Sequence, residues 1–562
     1  MGYAQLLEGT RAKEKWHSER FALVGPALLL LIVLGIYFSR VSSPNLRGEE
    51  SRRGEVAQEM LQSGDWVVPR QQGRPFLDRP PLQSWLIATI SAVRGGVDTF
   101  AIRLPSVVAV VLTTIMVFTY ARCFLSLLGA LVAALGFATM GQVLELGRLG
   151  ETESVFTFLV SASLLIWHFG YMRKWPLSLT YLAGYSLAGL ASLTKGPQAP
   201  IYFIGAVVLY LAVQKDWRTL FNSFHLAGLI VLTVIITTWE VALARRLHGS
   251  VGIGLPWTGH VNQIFFQRRP ANIISHLIAF PGMIAIDTLP WSAALGWFVI
   301  RGPSPLYERT GPYLRFLLIC LLVAFPTCWL PPNALPRYIM PLYPILAVLI
   351  GVAFERGFEL ASLAYARQSW ISAALIGSAG LMVIAAISVL FVGLAPQSWT
   401  GLLAQPPLFA IIYAFLAFAG GWVLLYSARR PQLKLWWYLS VLVIGSFMGL
   451  SYGGAMVNWM VNRSVDTEAA VNELKHRLPA NTHLTSVGPL SHLFVFYFHE
   501  PITGLDSPEQ IDKINPGSYF CFDLPSETDI RIPFEWTQIA AIPVSRSRTT
   551  LPQKIVIVAR RL

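Results

Sequence analysis

Two pairs of carboxylates flank apolar runs in this chain. Glu49 and Glu50 are adjacent in "RGEESRRGEVAQEMLQSGDW", just after the first apolar run, and Glu151 and Glu153 alternate in "GRLGETESVF", just before another. Carboxylates at the mouth of a membrane cavity can take a proton from a hydroxyl or hold a divalent cation. Acids in such places also commonly do no more than solvate a helix end. Three basic residues occur in similar settings: Arg79 in "FLDRPPLQSW", Lys195 in "SLTKGP" and Arg337 in "NALPRYIMPLYP". Snorkelling toward headgroups is one use for them. Binding an anion such as a phosphate or pyrophosphate is another, since guanidinium and ammonium groups make charge-assisted hydrogen bonds to its oxygens.

The elements that position these residues must be membrane helices. Of the 562 residues, 54% are hydrophobic and only 13% charged, and the mean hydropathy is +0.54. Soluble domains carry about 25% charged residues. The composition therefore predicts a polytopic α-helical membrane protein. About thirteen apolar segments can be drawn against the length needed to span a bilayer, the first from Phe21 to Phe38 and the last from near Leu435. Arg11, Lys13, Lys15 and Arg20 precede the first segment and Arg40 follows it, with no small-residue cleavage site, so it reads as a retained anchor.

With residues 1–20 cytoplasmic, the inside loops include "YMRKW", "QKDWR" and "SARRPQLK", which are basic as the positive-inside rule requires. The net charge of +13 is then a topology signal, and no nucleic-acid partner is expected. Both acidic pairs, with Arg79, Lys195 and Arg337, fall on the opposite, non-cytoplasmic face, where basic residues are disfavoured. Their presence there favours the anion reading. Cys123, Cys320, Cys328 and Cys521 lack metal-ligand spacing, and no disulfide framework is expected.

Three regions outside the membrane stand out. The first external loop, residues 40–103, contains "EVAQEMLQ", amphipathic enough to lie along the interface. Residues 244–277 hold His260 and His276, which read first as structural histidines. The tail, residues 462–562, reads as a periplasmic α/β domain behind a transmembrane domain of residues 21–461. In it "EAAVNELKHRL" predicts a helix, and "THLTSVG", "FVFYFHEP" and "QKIVIVARR" predict strands. Asp287 lies inside the eighth apolar segment, where a charge costs about 2.5–3.5 kcal/mol, so it should face the protein interior or a cavity.

"EESRRGEVAQEMLQSGDWVVPRQQGRPFLDRPPLQSWL" followed by "FAIRLPSVV" resembles the first external loop of the bacterial protein-mannosyltransferase-like glycosyltransferases. This GT-C family includes the aminoarabinose transferases of lipid A. The resemblance continues through "GRLGETESVFTFL", "LASLTKGP", "PRYIMPLYP" and the C-terminal domain. It implies a GT-C fold and transfer of a sugar from a polyprenyl-phosphate carrier to a hydroxyl acceptor (lipid, glycan or protein) at the periplasmic face of the bacterial inner membrane.

The resemblance also implies roles for the residues. Glu49 stands where the family usually has its catalytic Asp, Glu50 matches the following Glu, and Glu153 falls at a second-loop acid that is commonly Asp. Arg79 replaces the usual Lys before the Pro-Pro pair, and Lys195 matches its motif directly. Arg79, Lys195 and Arg337 are the expected donor-phosphate ligands. No cofactor is certain; a divalent metal ion remains open, with Glu49, Asp78 and His260 as weak candidate ligands. The same charged cavity is compatible with a lipid-linked-sugar transporter or flippase, or with a non-catalytic glycolipid-binding relative. The inverted repeats that mark many transporters are not evident.

Overall fold

The computed structural model of the chain describes residues 24–248, 273–298, 305–331, 334–361, 365–430, 434–479, 482–505, 511–512, 514–524, 532–545 and 553–562. Among these, 8 helices are long and apolar enough to cross a membrane by length and composition, and shorter apolar helices such as Val24–Phe38 and Leu127–Ala138 accompany them. The first and last expected segments fall, where described, on the helices Val24–Phe38 and Lys434–Leu450. A bilayer leaves few alternatives, because in hydrocarbon a segment must satisfy its own backbone hydrogen bonds. Local signals then set the ends. Asp98 caps the Thr99–Ala121 helix by accepting from the Ala101 N–H at 2.7 Å. The Leu177–Lys195 helix stops at Gly196 and Pro197, which leaves Lys195 in the last turn, where the helix dipole favours a cation.

The first external loop folds as a structure of its own. Helix Glu50–Ser63 ends at Gly64, in the left-handed region at φ 70°, whose N–H bonds the Met60 carbonyl at 3.0 Å. A hairpin of β1 (Arg70–Gln71) and β2 (Arg74–Pro75) follows, and then helix Leu82–Arg94. The expectation that "EVAQEMLQ" lies along the lipid interface is corrected. Its helix packs against helices Leu82–Arg94 and His492–Phe498, and Val56, Ala57 and Met60 are buried by protein. Gly54 permits this approach: a Cβ there would come within 2.7 Å of both Ile102 and Phe496.

The C-terminal part is a mixed sheet of β3 (Leu484–Val487), β4 (Thr503–Leu505), β5 (Tyr519–Leu524), β6 (Trp536–Pro543) and β7 (Ile555–Arg561), in the order β4-β3-β5-β7-β6. β3 runs parallel to β4 and β5, while β7 pairs antiparallel with β5 and β6. The helix over "EAAVNELKHRL" is present as Thr467–Arg477, and "THLTSVG" and "QKIVIVARR" supply β3 and β7. "FVFYFHEP" is not a strand. Helix His492–Phe498 covers it and buries Phe494 through Phe498 without a polar side. A short run apolar on all sides has no periodicity to separate helix from strand.

This sheet domain shares a hydrophobic core with the first loop. Leu46, Ala57, Ile87 and Ile102 cluster with Leu474, Leu484, Phe494 and Phe498. Each fully buried large side chain of this kind contributes about 1.5–3 kcal/mol, so the two regions stabilise each other.

At the centre of the loop is a buried ion pair. Arg103, from the Thr99–Ala121 helix, donates from Nε to Glu50 Oε1 at 2.7 Å and from Nη2 to Oε2 at 3.0 Å. Glu50 also accepts from the backbone N–H of Gly150 at 2.9 Å and of Arg47 at 3.1 Å. Arg103 also donates to the carbonyls of Val41 at 2.9 Å and Asn45 at 3.4 Å. Arg148 donates to the carbonyls of Ile36 at 2.9 Å and Ser39 at 2.7 Å, which end the first helix. Replacing Glu50 by Gln keeps the shape but leaves Arg103 as a buried, uncompensated cation, which costs about 3–5 kcal/mol. A clear drop in the thermal unfolding temperature of the detergent-purified protein is expected. An unchanged transition would show that the pair does not brace the loop.

Candidate active site

Adjacent Glu49 and Glu50 part company at the start of the first-loop helix. Glu50 points inward, and its two oxygens are occupied by the brace. Glu49, at the helix N-cap position, keeps its side chain 37% exposed and lines a cavity of about 460 Å³. Glu151 and Arg337 share its wall, Trp459 and Arg463 come from the last membrane helix, and Leu493 and Ser545 come from the sheet domain. The Glu49 carboxylate is held by its own helix: Arg52 Nη1 lies 3.0 Å and Arg53 Nη2 3.8 Å from Oε2. These are the i+3 and i+4 neighbours that share a helix face.

The second acidic pair meets the basic residues. Lys195 Nζ donates to Glu153 Oε1 at 3.0 Å, with both side chains buried. The ammonium also lies 4.8 Å from the centre of the Tyr338 ring and 5.8 Å from that of Phe156. Arg337 spans the pair, with Nη1 3.3 Å from Glu151 Oε2 and Nε 3.8 Å from Glu153 Oε1. Burial, and then the neighbouring Glu153 carboxylate, push the Glu151 carboxyl above the ordinary range, while Arg337 pulls it back.

Arg79 closes the cluster. Its strand-to-helix approach is seated by a small core of Val68, Leu193, Trp239 and Leu243, with Leu77 and Leu82 packed against it. Two indole N–H groups pin the preceding turn: Trp85 donates to the Trp66 carbonyl at 2.7 Å and Trp239 to the Val67 carbonyl at 3.0 Å. From there the Arg79 charge acts on Arg53, Glu153 and Lys195. Burial first, and then Arg79, push the Arg53 guanidinium down to about 10. Arg79 Nη1, Arg53 Nε and Arg337 Nε are buried without a hydrogen-bond acceptor. A buried donor left unsatisfied costs about 1–3 kcal/mol, and three of them on cations in one charge network suit an anion.

Glu49, Glu153, Arg79, Lys195 and Arg337 therefore belong to one network of charges, in which Arg53 links Glu49 to Arg79. Glu50 does not, because the brace uses it. Asp78 is exposed to solvent, and His260 lies outside the described residues. Among the described residues no three His, Cys, Asp or Glu side chains converge as a metal-binding group. His276 sits within hydrogen-bonding distance of the Trp329 carbonyl, 3.0 Å from Nε2, and Asp287 accepts from the Tyr343 hydroxyl at 3.3 Å. The four cysteines are free. Sequence reasoning missed Arg53, although its i+4 spacing from Glu49 was a usable signal.

Comparisons with known proteins agree with this architecture. Residues 78–239 match the family model described as dolichyl-phosphate-mannose-protein mannosyltransferase. An undecaprenyl phosphate-alpha-4-amino-4-deoxy-L-arabinose arabinosyl transferase of Pseudomonas paraeruginosa is 31% identical over 58% of this chain and 59% of its own length. One from Serratia proteamaculans is 28% identical over 72% of each chain. The match thus spans about three fifths of the first of these relatives. The crystal structure of ArnT from Cupriavidus metallidurans bound to undecaprenyl phosphate superposes with a TM-score of 0.70 at 20% identity, covering 96% of this chain and 98% of that one. The chain therefore shares the fold of that ArnT structure.

Behind the first-loop helix, a cavity of about 280 Å³ is lined by Glu55 and Glu59 of that helix and by His499 and Glu500 of the sheet domain, among others. Burial, and then the Glu59 charge, push the Glu55 carboxyl from 4.5 up to about 8. Between those values the folded protein holds a proton that the unfolded chain has lost, so this group's contribution to stability falls as pH rises from about 4.5 to about 8. Glu55→Gln cannot ionise. Its unfolding temperature should exceed that of the native protein at pH 8 by a wider margin than at pH 5. An equal difference at both pH values would refute the assignment.

Proposed function

We propose that this polytopic membrane protein, a GT-C-fold relative of the aminoarabinose transferases, moves a sugar from a polyprenyl-phosphate donor to a hydroxyl acceptor. The observation that carries the reading is the meeting of a cavity-facing carboxylate, Glu49, with a group of cations of which three, Arg53, Arg79 and Arg337, each keep one buried donor nitrogen without an acceptor. The relatives named above act on an undecaprenyl-phosphate-linked aminopentose, which agrees with a donor of that chemical class here. The acceptor is a lipid, a glycan or a protein.

In this reading Glu49 takes the proton of the acceptor hydroxyl while its oxygen attacks the anomeric carbon of the donor. The bond from that carbon to the phosphate oxygen breaks, and the polyprenyl phosphate leaves with the electron pair. Its growing negative charge is met by Arg79 and Lys195, with Arg337 beside them. Fixed charges aimed at developing charge are commonly the largest catalytic contribution. A single displacement inverts the anomeric configuration. Glu153 serves by holding Lys195 and Arg337 in place.

The test is sugar transfer from a defined polyprenyl-phosphate donor by the purified protein, with donor binding measured alongside. Glu49→Gln should retain donor binding and lose about 10²–10⁴-fold in turnover, the usual contribution of a general base. A loss under about threefold is too small for that role. Arg79→Ala and Lys195→Ala should weaken donor binding as well as slow turnover, and unchanged affinity would remove them from the phosphate site. Flipping of the donor lipid without transfer would support a flippase, and binding alone would support a non-catalytic relative.

The basic inside loops support an N-terminus in the cytoplasm of a bacterial cell, with the cavity and the sheet domain facing the periplasm. Fusions of a periplasm-dependent reporter after Leu478 should be active, and those after Arg430 inactive. The opposite pattern would reverse the orientation.

A further inference from the structure

We propose that His492, from the C-terminal sheet domain, is a positioning residue for Glu49 and acts through Arg52. The inference rests on the reading of Glu49 as the group that receives the acceptor proton. Arg52 Nε donates to His492 Nε2 at 2.9 Å, and Arg52 Nη2 meets the same ring nitrogen. Another edge of the guanidinium, at Nη1, donates to Glu49 Oε2 at 3.0 Å. A planar fork held on two edges has little freedom to turn. His492 therefore fixes Arg52, and Arg52 fixes the carboxylate at the cavity wall. The remaining partner of Glu49 on this helix, Arg53, stands 3.8 Å away and does not replace that bond.

The chemistry requires His492 to be neutral, with its proton on Nδ1 and Nε2 free to accept. Its surroundings favour that state. Burial first, and then the Arg52 charge, push the imidazole down to about 4, with Arg53 and Lys554 acting in the same direction and Glu49 opposing them. Nδ1 faces Glu55 Oε2 at 3.9 Å. His492 starts the helix that packs on the first loop, and its neighbour Leu493 lines the same cavity as Glu49. The sheet domain thereby supplies a wall of the site and also orients its carboxylate.

The test is a double-mutant cycle in the full-length protein, read in kcat, KM for the polyprenyl-phosphate donor, and donor binding. His492→Ala should lower kcat by about 10- to 100-fold, the scale on which small misplacements of a reacting group are felt. The donor KM should move less than about twofold, because the cations at the phosphate are untouched. His492→Gln, whose amide oxygen can accept from Arg52, should recover much of the loss. In a Glu49→Gln background, His492→Ala should have almost no further effect, since residues acting through one group are not additive.

Should His492→Ala fail to fold, Arg52→Lys is the second variant. It keeps a cation beside Glu49, loses the fork, and should reproduce the loss in kcat without a change in donor binding. Wild-type kcat in a folded His492→Ala protein, or losses that multiply in the double mutant, overturn the positioning role while leaving Glu49 as the base. Full activity in Glu49→Gln overturns the base assignment itself, and the positioning role with it.

Discussion

The buried pair of Glu50 and Arg103 is the constraint on which the site depends. It ties the start of the first-loop helix to a membrane helix, and through the Gly150 N–H to the turn that carries Glu151 and Glu153. Two segments separated by a hundred residues are thereby fixed against one another at the end of the helix bundle. A buried pair of this kind gains little over an apolar replacement, because desolvation consumes most of the Coulombic attraction. Its value here is geometric. Four hydrogen bonds to one carboxylate admit a single orientation of the loop, and that orientation turns Glu49 toward the cavity.

Around that fixed loop the charges divide by burial. Glu153 and Lys195 neutralise each other away from water, and Arg337 bridges Glu153 to Glu151. Arg79 and Arg53 bring further guanidinium groups to the same region and keep donors without acceptors. Such an excess of buried positive charge weakens the folded protein by itself. It is reasonable in a site whose ligand is an anion delivered by the membrane, since the ligand's oxygens satisfy the donors that the protein leaves open. Glu153 thus reads as an organiser of cations, and Glu49 as the acid available to react.

The sheet domain is structurally part of the same device. Leu474, Leu484 and Phe494 of the domain form one hydrophobic core with Ala57, Ile87 and Ile102 of the loop. Gly54 lets the two surfaces meet at contact distance, and any larger residue would have to displace Ile102 and Phe496. Leu493 and Ser545 complete the cavity wall. A boundary drawn at residue 462 follows composition, but the packing does not respect it.

The sequence by itself determined that the chain is built largely of apolar helices, and it set the expectation that the acids and bases share one end of them. Those follow from apolar length and loop charge, which are local properties. It also identified Glu49, Glu153, Arg79, Lys195 and Arg337 as candidates, through their motifs. Only the tertiary structure decided that Glu50, one residue from Glu49, is a brace, since its partner Arg103 lies 53 residues away. The link from Arg52 to His492 spans 440 residues and has no local signature. The aromatic run at Phe494 became a helix because the first loop and the sheet bury it on every side. Periodicity along a chain reports how a segment meets its surroundings as a whole, whereas the partner of a single charge depends on what folding brings within about 3 Å of it.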